Sequence, residues 1–253
     1  MQASVKIMDI DVDMLSNDVF IKKINEYLTD EKLQVIFFAS TELLNRAVAE
    51  EEYRKLVDMA ELFLPGEEAL LSAHHVDVLE AGDMVVSCKS FGMVLEKLKK
   101  EDRSIYIVSK SDADVETLTG YCKRMQPELR IAGSCAYNEN EMDDGAVINE
   151  INSHIPDILL VDLAIGVQEK WIMDHVSLLN AKICIAIGGV ANLILAQEKQ
   201  IPVWIQKLHL DGIYHKIVRE QTVKKGFRAR IFRKKVVQYN NQIEEQNQKD
   251  DDR

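Results

Sequence analysis

Residues 156–171 read PDILLVDLAIGVQEKW, and this stretch decides the fold. The apolar run at 158–163 has the length and composition of a buried strand, and a short turn leads from it into a helix with Gln168 and Glu169 in its first turn. In α/β proteins, ligands bind beyond the carboxyl ends of parallel strands. The free N–H groups at the start of the next helix add partial positive charge there. The stretch therefore predicts both a parallel sheet and the position of a ligand site.

The same strand–helix pattern extends over most of the chain. Short runs of Val, Ile and Leu with little polar alternation are typical of strands covered on both faces. We predict strands at 33–38, 62–64, 84–87, 105–108, 129–132, 158–163 and 183–187. We predict helices at 18–27 (after an N-cap at Asn17), 42–59, 91–100, 115–125, 146–152 and 167–179. This alternation indicates an α/β fold: a Rossmann-like, mostly parallel sheet with helices on both faces.

The pattern changes after Gly188-Gly189, where we expect short helices and no further strand. Residues 224–238 form a basic helix candidate, and the chain beyond Tyr239 is rich in Asn, Gln, Glu and Asp, which favours disorder. We therefore predict an α/β core at 1–195, a basic helical C-terminal appendage at 196–238 and a disordered tail at 239–253.

The composition is that of an ordinary soluble protein. With 253 residues, of which 47% are hydrophobic, the chain is long enough for one large core. It has no apolar run of membrane-spanning length and no apolar signal-peptide region near Met1, so we expect a cytoplasmic protein. Its cysteines lie at wide, irregular spacings, which indicates reduced thiols rather than a disulfide framework.

The net charge of −11 is unevenly distributed. Residues 216–235 contain nine Lys or Arg against Glu220 alone, a net charge of +8, which leaves −19 on the rest of the chain. A basic segment on an acidic body argues against indiscriminate binding of polyanions and favours one localised anionic partner.

Several common cofactor and catalytic motifs are absent from the sequence. It contains no Gly-x-Gly-x-x-Gly, no P-loop and no Gly-x-Ser-x-Gly, which argues against dinucleotide cofactors, P-loop chemistry and a nucleophile elbow. Residues 9–13 (DIDVD) contain Asp-x-Asp twice, but a charged loop is the expected role at this position. We therefore expect no cofactor and no metal site.

Three motifs in order carry a resemblance to a known family. Residues 156–171 resemble the Pro-Asp-x-Leu-x-Val-x-Leu-Gly-x-Pro-x-Gln-Glu-x-Trp signature of the WecG/TagA/CpsF glycosyltransferases. Residues 187–192 (IGGVAN) are similar to that family's Gly-Gly-Ala-Phe-Asp turn, and residues 201–211 to its Ala-Pro-x-Trp run. Enzymes of this family transfer a sugar from a nucleotide donor to a lipid-linked acceptor, so the resemblance implies this activity here.

The resemblance also implies where the donor binds. The residues concerned follow predicted strands: Ser40, Gln168, Glu169, Gly188, Gly189 and Asn192. Other roles stay open, because Gln and Glu are common in any first turn of a helix and a Gly-Gly pair also permits a tight turn.

The chain departs from the family pattern where the chemistry is expected. Gly66 stands in place of an Asp that resembles a general base, and Ser109-Lys110 replace a Gly-Gly pair. An acceptor hydroxyl needs a carboxylate within hydrogen-bonding reach, and Glu67 is the candidate beside Gly66. A solvated Glu at the start of a helix is the alternative reading of Glu67.

The basic appendage has three possible roles. In the family, C-terminal arginines lie near the acceptor diphosphate and bring the enzyme to the membrane. A helix with apolar residues among its positive charges also suits anionic lipid. A solvated helix is the second role, and binding of nucleic acid ranks last because no aromatic stacking platform accompanies the charges. The candidate residues for the acceptor and the membrane are Arg219, Lys224, Lys225, Arg228 and Arg230.

Together these features imply a metal-independent transferase at the inner face of the plasma membrane. It would move N-acetylmannosamine or another hexose from a UDP-sugar to a polyprenyl-diphosphate-linked acceptor for cell-wall or capsular polysaccharide. The departures also fit a catalytically silent family member that binds or regulates a partner enzyme. A homo-oligomer, or a partner glycosyltransferase that supplies missing groups, is compatible with both.

Overall fold

A computed structural model describes residues 3–73, 84–85, 87–196 and 229–245. The strands, in chain order, are β1 Ala3–Ile7, β2 Ile10–Met14, β3 Gln34–Ala39, β4 Leu62–Pro65, β5 Ser104–Ser109, β6 Arg130–Ala136, β7 Ile158–Asp162 and β8 Ile183–Ala186. Six of them form a parallel sheet in the order β4-β3-β8-β7-β5-β6. β1 and β2 form a separate antiparallel hairpin.

Helices fill the connections of this sheet. They are α1 Asn17–Thr29, α2 Thr41–Ala49, α3 Glu51–Val57, α4 Glu68–Ala73, α5 Ser87–Lys100, α6 Asp112–Met125, α7 Asp144–His154, α8 Val167–His175, α9 Ala191–Ala196 and α10 at 229–245. The α/β fold with a parallel sheet, predicted from the alternation of strands and helices, is confirmed.

The sheet is buried on both faces. Along β7, Leu159 and Val161 join one hydrophobic cluster, and Ile158 and Leu160 join the other. This alternation follows from the two-residue period of a strand. It explains why β7 reads as a continuous apolar run, because neither face is left for polar side chains.

Two layers of helices cover the sheet. The first layer contains α2, α3, α7 and α8, with Trp171 of α8 buried in its cluster, and it also holds the β1–β2 hairpin. The second layer contains α1, α5, α6 and α9, with Phe91 of α5 buried there. Burying one such large side chain contributes about 1.5–3 kcal/mol, so the layers are stabilised mainly by these apolar stripes.

The hairpin gives residues 9–13 a structural role. Ile10, Val12 and Met14 face the first-layer cluster, whereas Asp11 is exposed. The N–H of Phe63 in β4 donates to Oδ2 of Asp13 at 2.9 Å. The expected charged loop is therefore a strand, and its period-two pattern of Ile, Val and Met between aspartates is the signal that predicts it.

The strand predicted at 84–87 is wrong. Met84 makes a single antiparallel bridge with Ser16, and α5 begins at Ser87. The N–H of Val85 donates to the carbonyl of Leu15 at 2.8 Å, and Val85 is fully buried in the second-layer cluster. Val85 is thus buried against the segment that precedes α1, so an apolar residue of this run has a strand-like environment without a place in the sheet.

Some element boundaries also differ from the prediction. Ser16, rather than Asn17, is the N-cap of α1, since its Oγ accepts from the N–H of Val19 at 3.4 Å. The helix predicted at 42–59 is interrupted at Glu50, whose backbone is extended, so that α2 and α3 are separate. The helix α10 continues past Tyr239 to residue 245, where the sequence favours disorder.

Candidate active site

At several points along the carboxyl edge of the sheet, the helices after neighbouring strands pack in opposite layers, and two of these points concern the candidate site. The helices after the neighbouring strands β3 and β8 pack in opposite layers, α2 in the first and α9 in the second. The same holds for α6 after β5 and α8 after β7. Where adjacent connections diverge in this way, a ligand-sized opening forms beyond the strand ends.

A cavity of about 360 Å³ lies at the β3/β8 crevice, and we call it the first cleft. Its lining residues come from α2, the start of α4, the turn after β8 and α10: Ser40, Thr41, Glu42, Asn45, Glu67, Gly189, Ile231, Phe232 and Lys235. Three residues predicted from sequence, Ser40, Glu67 and Gly189, therefore meet in one place. The volume lies within the range of small-molecule sites.

Ser40 and Gly189 form the floor of the first cleft. Ser40 is the N-cap of α2 and is buried, and its Oγ accepts from the N–H of Leu43 at 3.1 Å. Gly189 has a φ of +84°, and a Cβ there would lie 2.6 Å from Cδ1 of Ile165 and 3.2 Å from Oγ of Ser40. Only glycine suits this backbone and this spacing.

Glu67 lies at the rim of the first cleft. Its Oε1 accepts from the N–H of Thr41, the first residue of α2, at 3.1 Å. Negative charge is favourable at a helix N-terminus, so this contact holds the carboxylate at the mouth of the cleft. The neighbouring Gly66 has no room for a side chain, because a Cβ there would lie 2.5 Å from the carbonyl oxygen of Ala39 and 2.6 Å from Cγ1 of Val190.

Gln168 and Glu169 are fully buried and bind protein groups. The N–H of Gly188 donates to Oε1 of Gln168 at 2.9 Å, and Nε2 of Gln168 donates to the Gly188 carbonyl at 3.4 Å and to Oε1 of Glu169 at 2.6 Å. The N–H of Gly166 donates to Oε2 of Glu169 at 2.6 Å. The pair therefore joins the turn after β7 to the turn after β8, and its predicted contact with the donor stays a prediction.

Two residues of the first layer complete this network and were missed from the sequence. Nη1 of Arg46 donates to the carbonyl of Ile165 at 2.9 Å, and its guanidinium lies 4.8 Å from the ring centre of Tyr53. The pKa of Tyr53 is raised by burial and by the nearby Glu169 carboxylate, so the hydroxyl stays neutral. These contacts could not be predicted from local sequence patterns, because Arg46 and Tyr53 lie in α2 and α3, more than 100 residues before Gln168.

The remaining predicted residues divide into two groups. Asn192 is exposed in the first turn of α9 and is absent from the lining of the first cleft. Arg230 is exposed on α10. The predicted anion-binding residues at 219, 224, 225 and 228 lie outside the described residues. The structure adds one cation that the sequence did not single out, since Lys235 lines the first cleft.

A second cavity, of about 520 Å³, lies at the ends of β5 and β6. Its lining residues are Lys110, Ser111, Asp112, Cys135, Ala136, Tyr137, Asn138, Glu141 and Met142. One strand away, Asp162 ends β7 and is 6% exposed. The sequence treated Asp162 as part of a buried strand, and the structure places its charged side chain at the carboxyl end of β7.

Two further features of the described residues concern metal binding and membrane spanning. Among the described residues, no group of three or more His, Cys, Asp or Glu is arranged to hold a metal ion. None of the helices in the described ranges is long and apolar enough to cross a membrane.

Comparison with known proteins supplies the wider context. The sequence model of a family described as the glycosyl transferase WecG/TagA/CpsF family matches residues 5–221. The chain is similar to the N-acetylglucosaminyldiphosphoundecaprenol N-acetyl-beta-D-mannosaminyltransferase of Bacillus subtilis, with 20% identity over 201 residues that cover 79% of this chain and 77% of the relative. A relative of the same name in Bacillus spizizenii is 21% identical over 189 residues, which cover 74% of this chain and 72% of the relative.

Proposed function

Because this chain belongs to the WecG/TagA/CpsF family of glycosyltransferases, we propose that it transfers a hexose from a UDP-sugar to a polyprenyl-diphosphate-linked acceptor. N-acetylmannosamine is the proposed sugar and a diphosphate-linked N-acetylglucosamine the proposed acceptor, because the names of the two relatives contain both. The product would enter cell-wall or related polysaccharide synthesis.

The observation that carries this proposal is that six of the nine residues lining the first cleft lie within the family match, and the other three come from α10. The match spans the sheet and the strand ends at which Ser40, Glu67 and Gly189 meet. The cleft lies at a crevice where adjacent connections diverge, and it combines two carboxylates (Glu42 and Glu67), hydroxyl groups and an amide with a lysine from α10. Sugar hydroxyls and phosphate oxygens are the groups that such a lining recognises.

In this arrangement Glu67 is the proposed general base. It would accept the proton of the acceptor hydroxyl as that oxygen attacks the anomeric carbon and the nucleoside diphosphate leaves. The contact with Thr41 holds the carboxylate at the mouth of the cleft, where an incoming acceptor would reach it. General-base catalysis of this kind contributes about 10²–10⁴-fold to a rate.

The proposed acceptor and membrane contacts come from the basic C-terminal part. Lys235 lines the first cleft from α10, and Arg230, Arg233 and Lys234 add positive charge to the same helix. Each cation near an anionic lipid surface is worth about 1 kcal/mol, so a cluster supports peripheral binding. We propose that this charge brings the enzyme to the lipid-linked acceptor at the membrane surface.

The test is a transfer assay with purified protein, UDP-N-acetylmannosamine, UDP-glucose and a short polyprenyl-diphosphate-N-acetylglucosamine. We expect product with at least one donor, unchanged by EDTA. Glu67→Gln should lower kcat by at least about 100-fold with little change in donor KM. The matched control is Glu68→Gln, at an exposed neighbouring position.

The outcomes separate the two functional hypotheses. Full activity in Glu67→Gln would show that another group is the base. Binding of UDP-sugars without transfer to any acceptor would favour the catalytically silent family member. Failure to bind any nucleotide sugar, by a protein shown to be folded, would contradict the proposed function itself.

A further inference from the structure

Asp162 has one carboxylate oxygen that the rest of the described structure does not use. The Oγ of Ser109 donates to Oδ2 of Asp162 at 3.0 Å and lies 3.2 Å from its backbone carbonyl. Within the described ranges, Oδ1 has no hydrogen-bond partner and no cation forms an ion pair with the carboxylate. Oδ1 is not among the described side-chain atoms that are both buried and without a partner, so this oxygen is accessible from the surface, where it can accept a hydrogen bond from a ligand.

The position of Asp162 connects it to the second cavity. Ser109 pairs in register with Asp162 on one side and with Ala136 on the other, so the three residues lie at one level of the sheet. Ala136 and Lys110 line the second cavity. Asp162 therefore lies one strand from the cavity, at the β5/β7 crevice where adjacent connections diverge.

The charge around the second cavity indicates the chemistry of its ligand. Its lining contains one cation, Lys110, and two carboxylates, Asp112 and Glu141, and Asp114 lies near Asp162 as well. The lining of the first cleft has the same balance, Lys235 against Glu42 and Glu67. Asp114 and Asp162, however, make the surroundings of the second cavity more negative, which disfavours a diphosphate there. Hydroxyl groups, by contrast, donate strong, short hydrogen bonds to carboxylates.

We propose that Asp162 is a specificity-determining residue that accepts a hydrogen bond from a hydroxyl of the nucleotide-sugar donor. This inference rests on the proposed function and adds a residue and a subsite to it: the uncharged, hydroxyl-rich part of the donor lies at the β5/β7 crevice and the second cavity. The hydroxyl belongs to the ribose or to the transferred hexose, and the same carboxylate chemistry recognises either.

The experiment is calorimetric titration of wild type and Asp162→Asn with UDP, 2′-deoxy-UDP, UDP-N-acetylmannosamine and UDP-glucose. The substitution keeps the shape of the side chain and removes its charge. We expect Asp162→Asn to weaken binding about 10- to 100-fold, the range of a hydrogen bond to a charged group. Glu116→Gln removes one exposed charge from α6 and should leave binding unchanged.

Comparison of the four ligands shows whether Asp162 binds a hydroxyl of the ribose or of the hexose. If the ribose is recognised, Asp162→Asn weakens UDP itself, and 2′-deoxy-UDP binds the wild type about as weakly as UDP binds the variant. If the hexose is recognised, only the UDP-sugars distinguish the two proteins. Weaker binding of 2′-deoxy-UDP than of UDP by the wild type shows recognition of the ribose hydroxyl, and the comparison with a folded Asp162→Asn assigns that recognition to Asp162.

Two results would overturn the inference. Equal affinities of wild type and a folded Asp162→Asn for all four ligands would remove Asp162 from the donor site and leave the proposed function intact. Absence of binding by the wild type would overturn both the inference and the proposed function.

Discussion

The side-chain amide of Gln168 is bonded at two points to the backbone of Gly188, accepting from its N–H at 2.9 Å and donating to its carbonyl at 3.4 Å. A Cβ at Gly188 would collide with the carbonyl of Leu163 and with this amide. The end of β8 can therefore approach α8 this closely only because residue 188 is glycine. The two residues fix the position of Gly189, which forms part of the floor of the first cleft.

We predict that Gln168→Ala destabilises the protein. It leaves the buried N–H of Gly188 without its acceptor, which costs about 1–3 kcal/mol in the free energy of unfolding. Urea denaturation measures this change. Lys170→Ala, at an exposed position of the same helix, should leave the free energy of unfolding nearly unchanged, because solvent screens its ion pair with Asp174. A variant with wild-type stability but weaker UDP-sugar binding would instead make Gln168 a direct ligand contact.

We predict that Gly66→Asp fails to create a catalytic base. The added Cβ would lie 2.5 Å from the carbonyl oxygen of Ala39, and overpacking of this kind costs about 1–3 kcal/mol. Gly92→Ala is the matched control, because the nearest atom to a Cβ there is 3.6 Å away, and it should stabilise α5 by about 0.5–1 kcal/mol. Thermal unfolding and the transfer assay test both variants, and higher activity in Gly66→Asp would contradict the prediction.

We predict that Asp162→Asn stabilises the protein at neutral pH. Burial raises the pKa of Asp162, partly offset by the Ser109 hydrogen bond and Lys110, while Asp114 raises it further. The folded state thus holds the proton more tightly than the unfolded state, whose pKa is near 3.8. The stability from this group is present below that pH and is lost as the pH rises through the folded pKa.

The measurement for Asp162→Asn is the Tm at pH 7 and at pH 3.5. At pH 7 the variant should melt higher, by about 2–4 °C for each kcal/mol relieved. At pH 3.5 the difference should shrink, because the wild-type carboxyl is then protonated. Glu116→Gln should show no such pattern, and a lower Tm of Asp162→Asn at pH 7 would contradict the argument.

We predict that Phe232→Ala detaches α10 from the first cleft. Phe232 and Val236 are the buried residues of this helix, at 3% and 8% exposure, and they lie in the first-layer cluster. Truncation of a buried Phe costs about 3–5 kcal/mol. We expect this cost to exceed the free energy that holds a terminal helix against the rest of the protein. Hydrogen exchange should show faster exchange at 229–245 and unchanged exchange in β3 and β8. Val237→Ala, at a position 51% exposed, should leave α10 protected.

The sheet was predictable because its signal is local. The apolar runs of β3, β7 and β8 are buried on both faces, so composition alone indicates strands. The run at 84–87 has the same composition, but its Val85 is buried beside Leu15, outside the sheet, and no local pattern distinguishes these two kinds of burial.

The site was predictable only in part, because its contacts join distant segments. Ser40, Glu67 and Gly189 were found since each follows a strand. Arg46 contacts Ile165 and Tyr53 lies near Glu169, in each case more than 100 positions along the chain. Lys235 lines the first cleft from the C-terminal part of the chain. Asp162, whose role in the site is our proposal, differs from the others because a charge at the end of an apolar run is visible in the sequence.

The burial of Gln168 and Glu169 gives the stretch at 156–171 a structural role. These two side chains join the loop that follows β7 to the loop that follows β8 through hydrogen bonds to Gly166 and Gly188. Both side chains are fully buried. A match to this stretch in another chain therefore indicates the same framework of two joined loops, whereas contact of Gln168 or Glu169 with the donor stays a prediction that a binding measurement tests.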